Sequence, residues 1–271
     1  GADFSAIELT TLGQILLDMF GKSLLAETIQ AKKDPHSLTA SMLLGITYEE
    51  AVARKESKDD EVQKEFNWYR DLSKALAFGV PGGLGAESFL SFAKGYGVHF
   101  DGTRKQQIET VKGYIKKYLD WYPEIRRYLN VISEQCGERG GRFTMAQPRS
   151  GRIRGNVGYT DGANSPFQGL AADLAKDAIW HITQECFIPG SPLFMCRVTL
   201  FMHDEIILQA PCEMAAEAAE RVSQLMLEAA KRWCPDVPTK AEPWISMWWD
   251  KRAKPVRDAN GRLIPWVPKA A

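Results

Sequence analysis

Residues 197–210 read RVTLFMHDEIILQA. Two apolar runs rich in β-branched and aromatic residues flank a short polar turn at His203-Asp204-Glu205, the pattern of a tight antiparallel hairpin. The spacing predicts strands over Arg197–Met202 and Ile206–Ala210. Near the other end of the sequence, DFSAIEL (residues 3–9) reads as a further short strand with polar residues interspersed. Helical patterns fill the space between: Thr10–Phe20, a start at Asp34-Pro35, and a long charged pattern from Asp59 to about Val80 that Pro81-Gly82-Gly83 must end. Further helices are expected over Ala86–Tyr96, Arg104–Tyr122, Pro123–Glu138 and Phe167–Cys186, the last opened by Asn164-Ser165-Pro166, and a final one over Glu213–Trp233. Gly137–Gly158 reads as a loop or irregular hairpin, and the Trp- and Pro-rich tail from Pro235 as irregular. Strands at both ends around a helical insertion make the fold class α+β, with an antiparallel sheet.

Composition narrows the function. The chain has 271 residues, 45% hydrophobic and 25% charged, enough for a sizeable core and too apolar for a disordered or coiled-coil chain. Its 34 basic and 34 acidic residues cancel, which excludes a uniformly basic nucleic-acid coat and leaves room for a local basic groove. Five cysteines without a CxxC pair suit buried thiols in a reducing compartment, and no disulfide framework or zinc site is expected. The sequence shows neither a signal peptide nor an apolar run of membrane-spanning length, so a cytoplasmic location is expected.

Two features carry chemistry. Asp3 and Asp204 each lie on or beside an apolar strand, where a carboxylate is costly without a cation. Brought together from distant parts of the chain, they would suit hard divalent ions, which take one or two carboxylates plus phosphate oxygens. Arg70, Lys74 and Phe78 recur every four residues and share one helix face. A guanidinium fork one turn from an ammonium fits a polyphosphate, and the aromatic ring before a Gly-rich break lets a flat base or sugar approach the backbone.

The strand DFSAIEL, the helix R-DLS-K-ALA-F-G and the hairpin FMHDEIIL resemble motifs A, B and C of the family A DNA polymerases, the bacterial polymerase I group. DPHSLTASMLLG and NSPFQGLAADLAKDAI add to the resemblance, which runs in order from Asp3 to Pro211. It implies a right-hand polymerase architecture lacking thumb and exonuclease. Residues 1–33 would be palm bearing motif A, 34–140 the fingers, and 141–271 the palm with the motif C hairpin and C-terminal tail. The implied activity is template-directed transfer of dNTPs to a primer 3′-hydroxyl by a two-metal mechanism.

Residue by residue, the resemblance makes Asp3 and Asp204 ligands of two Mg²⁺ ions, with the backbone carbonyl of Phe4 as a further oxygen and Glu205 as a supporting carboxylate. His36, Arg70, Lys74, Phe78 and Glu8 would bind the dNTP, Glu8 by crowding the 2′ position against ribonucleotides. Asn164, Gln168, His203, Arg149 and Arg152 would meet DNA. The implied partners are primer–template DNA, dNTPs and an N-terminal polymerase segment or subunit carrying thumb and exonuclease, in a bacterial or phage-infected cell. Three positions depart from the pattern: Gly82 stands where a Tyr is usual, Ala6 where a Gln is, and Thr160 where an Arg is frequent. Rival readings are a catalytically silent DNA-binding module, a single-subunit RNA polymerase, against which Glu8 and Glu205 argue, and a metal-dependent nuclease, which needs no Arg70–Lys74 pair.

Overall fold

A computed structural model describes residues 1–137 and 140–268. The chain is α+β and divides into two compact units, residues 1–11 with 170–271 and residues 12–169. No helix among the described residues is long and apolar enough to cross a membrane.

The first unit is built on a four-stranded antiparallel sheet of β1 (Ala2–Ser5), β4 (Arg197–Met202), β5 (Glu205–Gln209) and β6 (Lys240–Pro243), in the order β4-β5-β1-β6. The predicted hairpin forms with a two-residue turn, and β5 begins at Glu205, one residue earlier than expected. The expected strand over residues 3–9 is cut short. Ala6 takes a left-handed φ of 52°, and its carbonyl accepts the amides of Leu9 and Thr10, both at 3.1 Å, which starts α1 (Ile7–Phe20) three residues before the expected Thr10. Strand β6 was not expected in the irregular tail. It pairs with β1 from Ala2–Pro243 to Ser5–Lys240. Helix α10 (Ala215–Trp233) buries Ala219, Val222, Met226 and Ala229, one stripe at helical spacing, and its Ser223 hydroxyl donates to the Ala241 carbonyl at 2.6 Å, tying the helix to β6.

The second unit is helical apart from the hairpin of β2 (Phe143–Ala146) and β3 (Ile153–Val157), which resolves the expected irregular hairpin. Helix α5 (Asp60–Gly79) follows the charged pattern closely. Its Phe66 packs with Ala40 of α3 (Pro35–Leu44) and Ala51 of α4 (Tyr48–Lys55). Helices α2 (Leu24–Gln30) and α4 were not anticipated, although both carry readable starts: Ser23 caps α2, and Thr47 with Glu50 forms a capping box on α4. Helices α6 (Ala86–Lys94), α7 (Arg104–Trp121) and α8 (Pro123–Cys136) lie where expected; the predicted end of the last, at Glu138, falls outside the described residues.

Helix α9 (Tyr159–Glu185) departs most from expectation, because it begins eight residues before Phe167 and carries Pro166 inside it. Proline removes one ladder donor and crowds the preceding turn. Neighbouring side chains supply donors to that turn: Asn164 Nδ2 to the Thr160 carbonyl at 3.1 Å, the Ser165 hydroxyl to Asp161 at 2.6 Å, and the Tyr128 hydroxyl to Ala163 at 2.5 Å. Asn164 is therefore a mid-helix residue and not a helix cap. Its Nδ2 also reaches the Gly82 carbonyl at 3.3 Å. A Cβ on Gly82 would meet Asn164 Oδ1 at 2.6 Å, and the next residue, Gly83, needs its positive φ of 79°.

This close approach predicts a reversal of sign. Gly82→Ala lowers unfolding stability by about 1 kcal/mol in the native background, because Asn164 must move. In an Asn164→Ala background the same change raises it by about 0.5 kcal/mol, through the lower entropy of the unfolded chain. Urea unfolding of the four proteins measures the coupling.

Candidate active site

Within the first unit, strand β1 alternates. Ala2 and Phe4 enter the core, while Asp3 and Ser5 face the other way. Antiparallel register then sets Asp3 opposite Glu205 on β5 and opposite Glu242 on β6. His203, the first turn residue of the hairpin, holds a left-handed φ of 59°. The turn brings Asp204 alongside β1, where its carbonyl accepts the Phe4 amide at 3.3 Å. The carboxyls of Asp3 and Asp204, two hundred positions apart, lie within reach of a shared hydrogen bond when one of them is protonated.

Burial, the charge of Asp204 and that hydrogen bond, and then Glu205 and Glu242, push the Asp3 carboxyl up to about 7. Among the described residues none of these four acids has a salt-bridge partner. Like charges opposite each other on a sheet are destabilising, so the arrangement lacks a cation. No group of three or more His, Cys, Asp or Glu among the described residues is placed to hold an ion by itself. The donor set is thus two carboxylates with peptide oxygen, which fits Mg²⁺, an ion that leaves most of its positions to water and substrate phosphate. Glu242 went unnoticed in the sequence because its strand carries no apolar alternation. Glu8, by contrast, lies in the first turn of α1, half-buried.

Within the second unit a separate cluster forms. Asp34 caps α3 and collects donors: the His36 amide at 3.1 Å, the Ser37 hydroxyl at 2.8 Å, and Arg70 through Nε at 3.2 Å and Nη2 at 3.0 Å. Lys55 adds an ion pair at 3.5 Å. One turn along α5, Lys74 pairs with Asp71 at 2.7 Å. His36 stands close enough to feel both cations. Burial first, then Arg70 and Lys74 against the opposing pull of Asp34, lower it to about 4, so it is neutral. Its Nδ1 is buried with no hydrogen-bond partner. The His36 ring lies 5.7 Å from Phe78, and Phe78 stacks on Tyr96 at 6.2 Å with planes 12° apart. His36, Arg70, Lys74 and Phe78 therefore come together as one patch, with a buried ring nitrogen that lacks a partner. Asp34 and Asp71, the internal counter-charges, were missed; the Asp-Pro pair signalled only a helix start.

The remaining predicted residues hold bonds within the fold. Arg149, at a left-handed φ of 67°, grips Asp18 at 2.7 and 2.9 Å, and Arg152 reaches the Gly169 carbonyl at 3.5 Å. Asn164 is committed to Gly82 and Thr160, while Gln168 is exposed on α9.

Comparison with known proteins places these groups in context. The sequence model of DNA polymerase family A matches residues 1–251. DNA polymerase I of Aquifex aeolicus (strain VF5) is 29% identical over 252 residues, covering 92% of this chain and 39% of the relative. DNA polymerase I of Lactococcus lactis subsp. lactis (strain IL1403) is 30% identical over 237 residues, covering 84% of this chain and 23% of the relative. The chain thus spans well under half the length of these relatives. In fold it is similar to the polymerase domain of Pol1 from M. smegmatis, solved in complex with DNA primer-template and dNTP: TM-score 0.63, 23% identity, covering 90% of this chain and 38% of that one.

The Asp34 cluster makes a pH-dependent prediction. The Ser37 hydroxyl and the Arg70 guanidinium hold the Asp34 carboxyl far below the usual carboxylate range, outweighing its burial. A depressed carboxylate stabilises fully above its unfolded pKa of about 4 and loses that contribution as pH falls toward the folded value. Asp34→Asn, which keeps the cap but loses the charge, lowers urea-unfolding stability by about 1–2 kcal/mol at pH 7. The difference from wild type narrows steadily below about pH 4.

Proposed function

The chain belongs to DNA polymerase family A, and on that premise we propose that it carries the nucleotidyl-transfer machinery of a template-directed DNA polymerase. The observation that carries the reading is the convergence of Asp3 and Asp204, uncompensated by any cationic side chain among the described residues, in a chain that also gathers His36, Arg70, Lys74 and Phe78. A nuclease or silent module has no use for the second group.

In this reading Asp3, Asp204 and the Phe4 carbonyl hold Mg²⁺, with Glu205 and Glu242 adding negative field. The bound ions supply charge neutralisation at the attacking and leaving oxygens of an in-line phosphoryl transfer. Arg70 and Lys74 exchange their internal partners Asp34 and Asp71 for the triphosphate, whose higher charge makes the exchange favourable. His36 donates a ring N–H to a phosphate oxygen, and Phe78 gives the sugar and base an apolar face. Phe78 has no phenolic hydroxyl, so dideoxynucleotides are poor substrates. Glu8 blocks the ribose 2′-hydroxyl.

His203 meets the primer terminus, and Gln168 and Asn164 meet the primer–template minor groove, Asn164 by giving up its bonds to Gly82 and Thr160. Arg149 and Arg152 contact phosphates by a similar exchange. Residues 1–33 and 141–271 are proposed as palm and 34–140 as fingers; thumb and exonuclease are assigned to polypeptide outside this sequence, joined or separate.

Primer extension with Mg²⁺ and deoxynucleotides, with the chain alone and with the N-terminal polymerase segment, tests the reading. Wild type extends the primer; Asp204→Ala reduces extension at least about a hundredfold with DNA binding little changed, and Arg70→Ala raises the dNTP KM at least about tenfold. A wild-type chain that extends no primer even with that segment overturns the proposal.

A further inference from the structure

The tail sorts its tryptophans into two groups. Trp244 and Trp266 are buried, at 5% and 9% exposure, whereas Trp248 and Trp249 stand 56% and 48% exposed beside Met247 at 68%. The exposed rings are not on a loose end. The Trp244 amide donates to the Gly1 carbonyl and the Trp266 amide to the Ile245 carbonyl, both at 2.8 Å, and Ser246 pairs in parallel with Trp266. Just beyond them a turn closes from Asp250 to Ala253 at 2.8 Å. The Asp250 carboxylate neutralises Arg252 through two contacts at 3.0 and 2.7 Å, and the Arg252 guanidinium lies 6.0 Å from the Trp266 ring centre.

Asp250 is the sole acid between Met247 and Arg257. With its charge spent on Arg252, Lys251 and Lys254 remain exposed, with no ion-pair partner among the described residues. Two adjacent indoles held out into water, rimmed by unpaired cations, match a ligand with flat π-faces on an anionic backbone. An apolar protein partner would use the rings but gain nothing from the ammonium groups.

We propose that Met247–Lys254 is a stacking platform for single-stranded DNA, a site separate in sequence and chemistry from the Asp3–Asp204 pair. The choice of DNA as ligand rests on the polymerase reading. Bases stack on Trp248 and Trp249 without regard to sequence, Met247 fills the gap beside them, and Lys251 and Lys254 follow the phosphates.

The test measures binding of the full chain to a fluorescently labelled oligothymidylate of about 12 nucleotides, the reach of a small single-strand site, by anisotropy without metal, primer or dNTP. Trp248→Ala/Trp249→Ala weakens binding at least about tenfold, whereas Trp248→Phe/Trp249→Phe keeps most of it. Lys251→Ala/Lys254→Ala flattens the dependence of affinity on salt. Because the rings are exposed, the thermal midpoints stay close to wild type. An alanine pair that binds as wild type overturns the proposal. So does a phenylalanine pair that loses as much as the alanine pair, or an alanine pair whose only change is in self-association, which marks a protein-docking surface. Primer extension by the same proteins with the N-terminal polymerase segment added separates this site from the activity: a chain that binds oligothymidylate through its tryptophans yet transfers no nucleotide even with that segment keeps this inference and removes the polymerase reading.

Discussion

Four carboxylates, Asp3, Asp204, Glu205 and Glu242, crowd one sheet with no cationic side chain among the described residues to pair them, and the rest of the first unit is arranged to keep them there. The core side of β1 is buried through Ala2 and Phe4, so a one-residue slip of the strand would turn Asp3 into the apolar interior. Three elements fix that register: β5 and β6 through their ladders, and α10, which holds β6 in place through Ser223. The hairpin turn adds local strain. A non-glycine residue at a left-handed φ costs about 1 kcal/mol, and His203 accepts that cost at the point that presents Asp204. Stability is lost at this spot, and in the proposed reading a bound divalent ion restores it. That trade is expected of a catalytic group and not of a structural one.

The second unit shows the opposite electrostatic habit. Three of its candidate anion-binding cations are already paired: Arg70 with Asp34, Lys74 with Asp71, Arg149 with Asp18. These pairs keep long, flexible side chains in one place, which lowers the ordering cost of meeting an anion. In the proposed function a polyphosphate outcompetes a single carboxylate by charge, and the internal acids act as placeholders. Asp34 does more than this, because it also caps α3 and thereby fixes where His36 stands. The second unit therefore offers an anion a preset grip, while the first offers a cation an unmet demand.

The sequence made some of this legible and hid the rest for identifiable reasons. The hairpin RVTLFMHDEIILQA and the helix ending at Pro81-Gly82-Gly83 carry strong local signals, a period of two and a backbone breaker, and both formed where those signals put them. Asp3 and Asp204 could be named as a pair only on chemical grounds, because nothing local says that two strands so far apart in sequence will be neighbours. Helix α9 starts earlier than expected because Asn164-Ser165-Pro166 is a valid local start signal; Tyr128, from another helix, and the hydrogen bonds of Asn164 and Ser165 overrode it. Strand β6 reads KAEP, too short and polar to announce itself, and is a strand because β1 and α10 supply both its neighbours. Asp34 and Asp71 were invisible as counter-charges because ion pairing between helices depends on packing that no spacing rule encodes. In the tail, composition alone flagged tryptophan richness, and only burial divided those rings into anchors and exposed surfaces.

The central claim is that Asp3 and Asp204 together constitute a divalent-cation site. Mn²⁺ binding to the full chain at neutral pH, followed by electron paramagnetic resonance with dNTP present, measures it directly. The account predicts that wild type takes up Mn²⁺ and that Asp3→Asn/Asp204→Asn weakens uptake at least about tenfold while the chain remains folded. Equal Mn²⁺ uptake by the two proteins would contradict it.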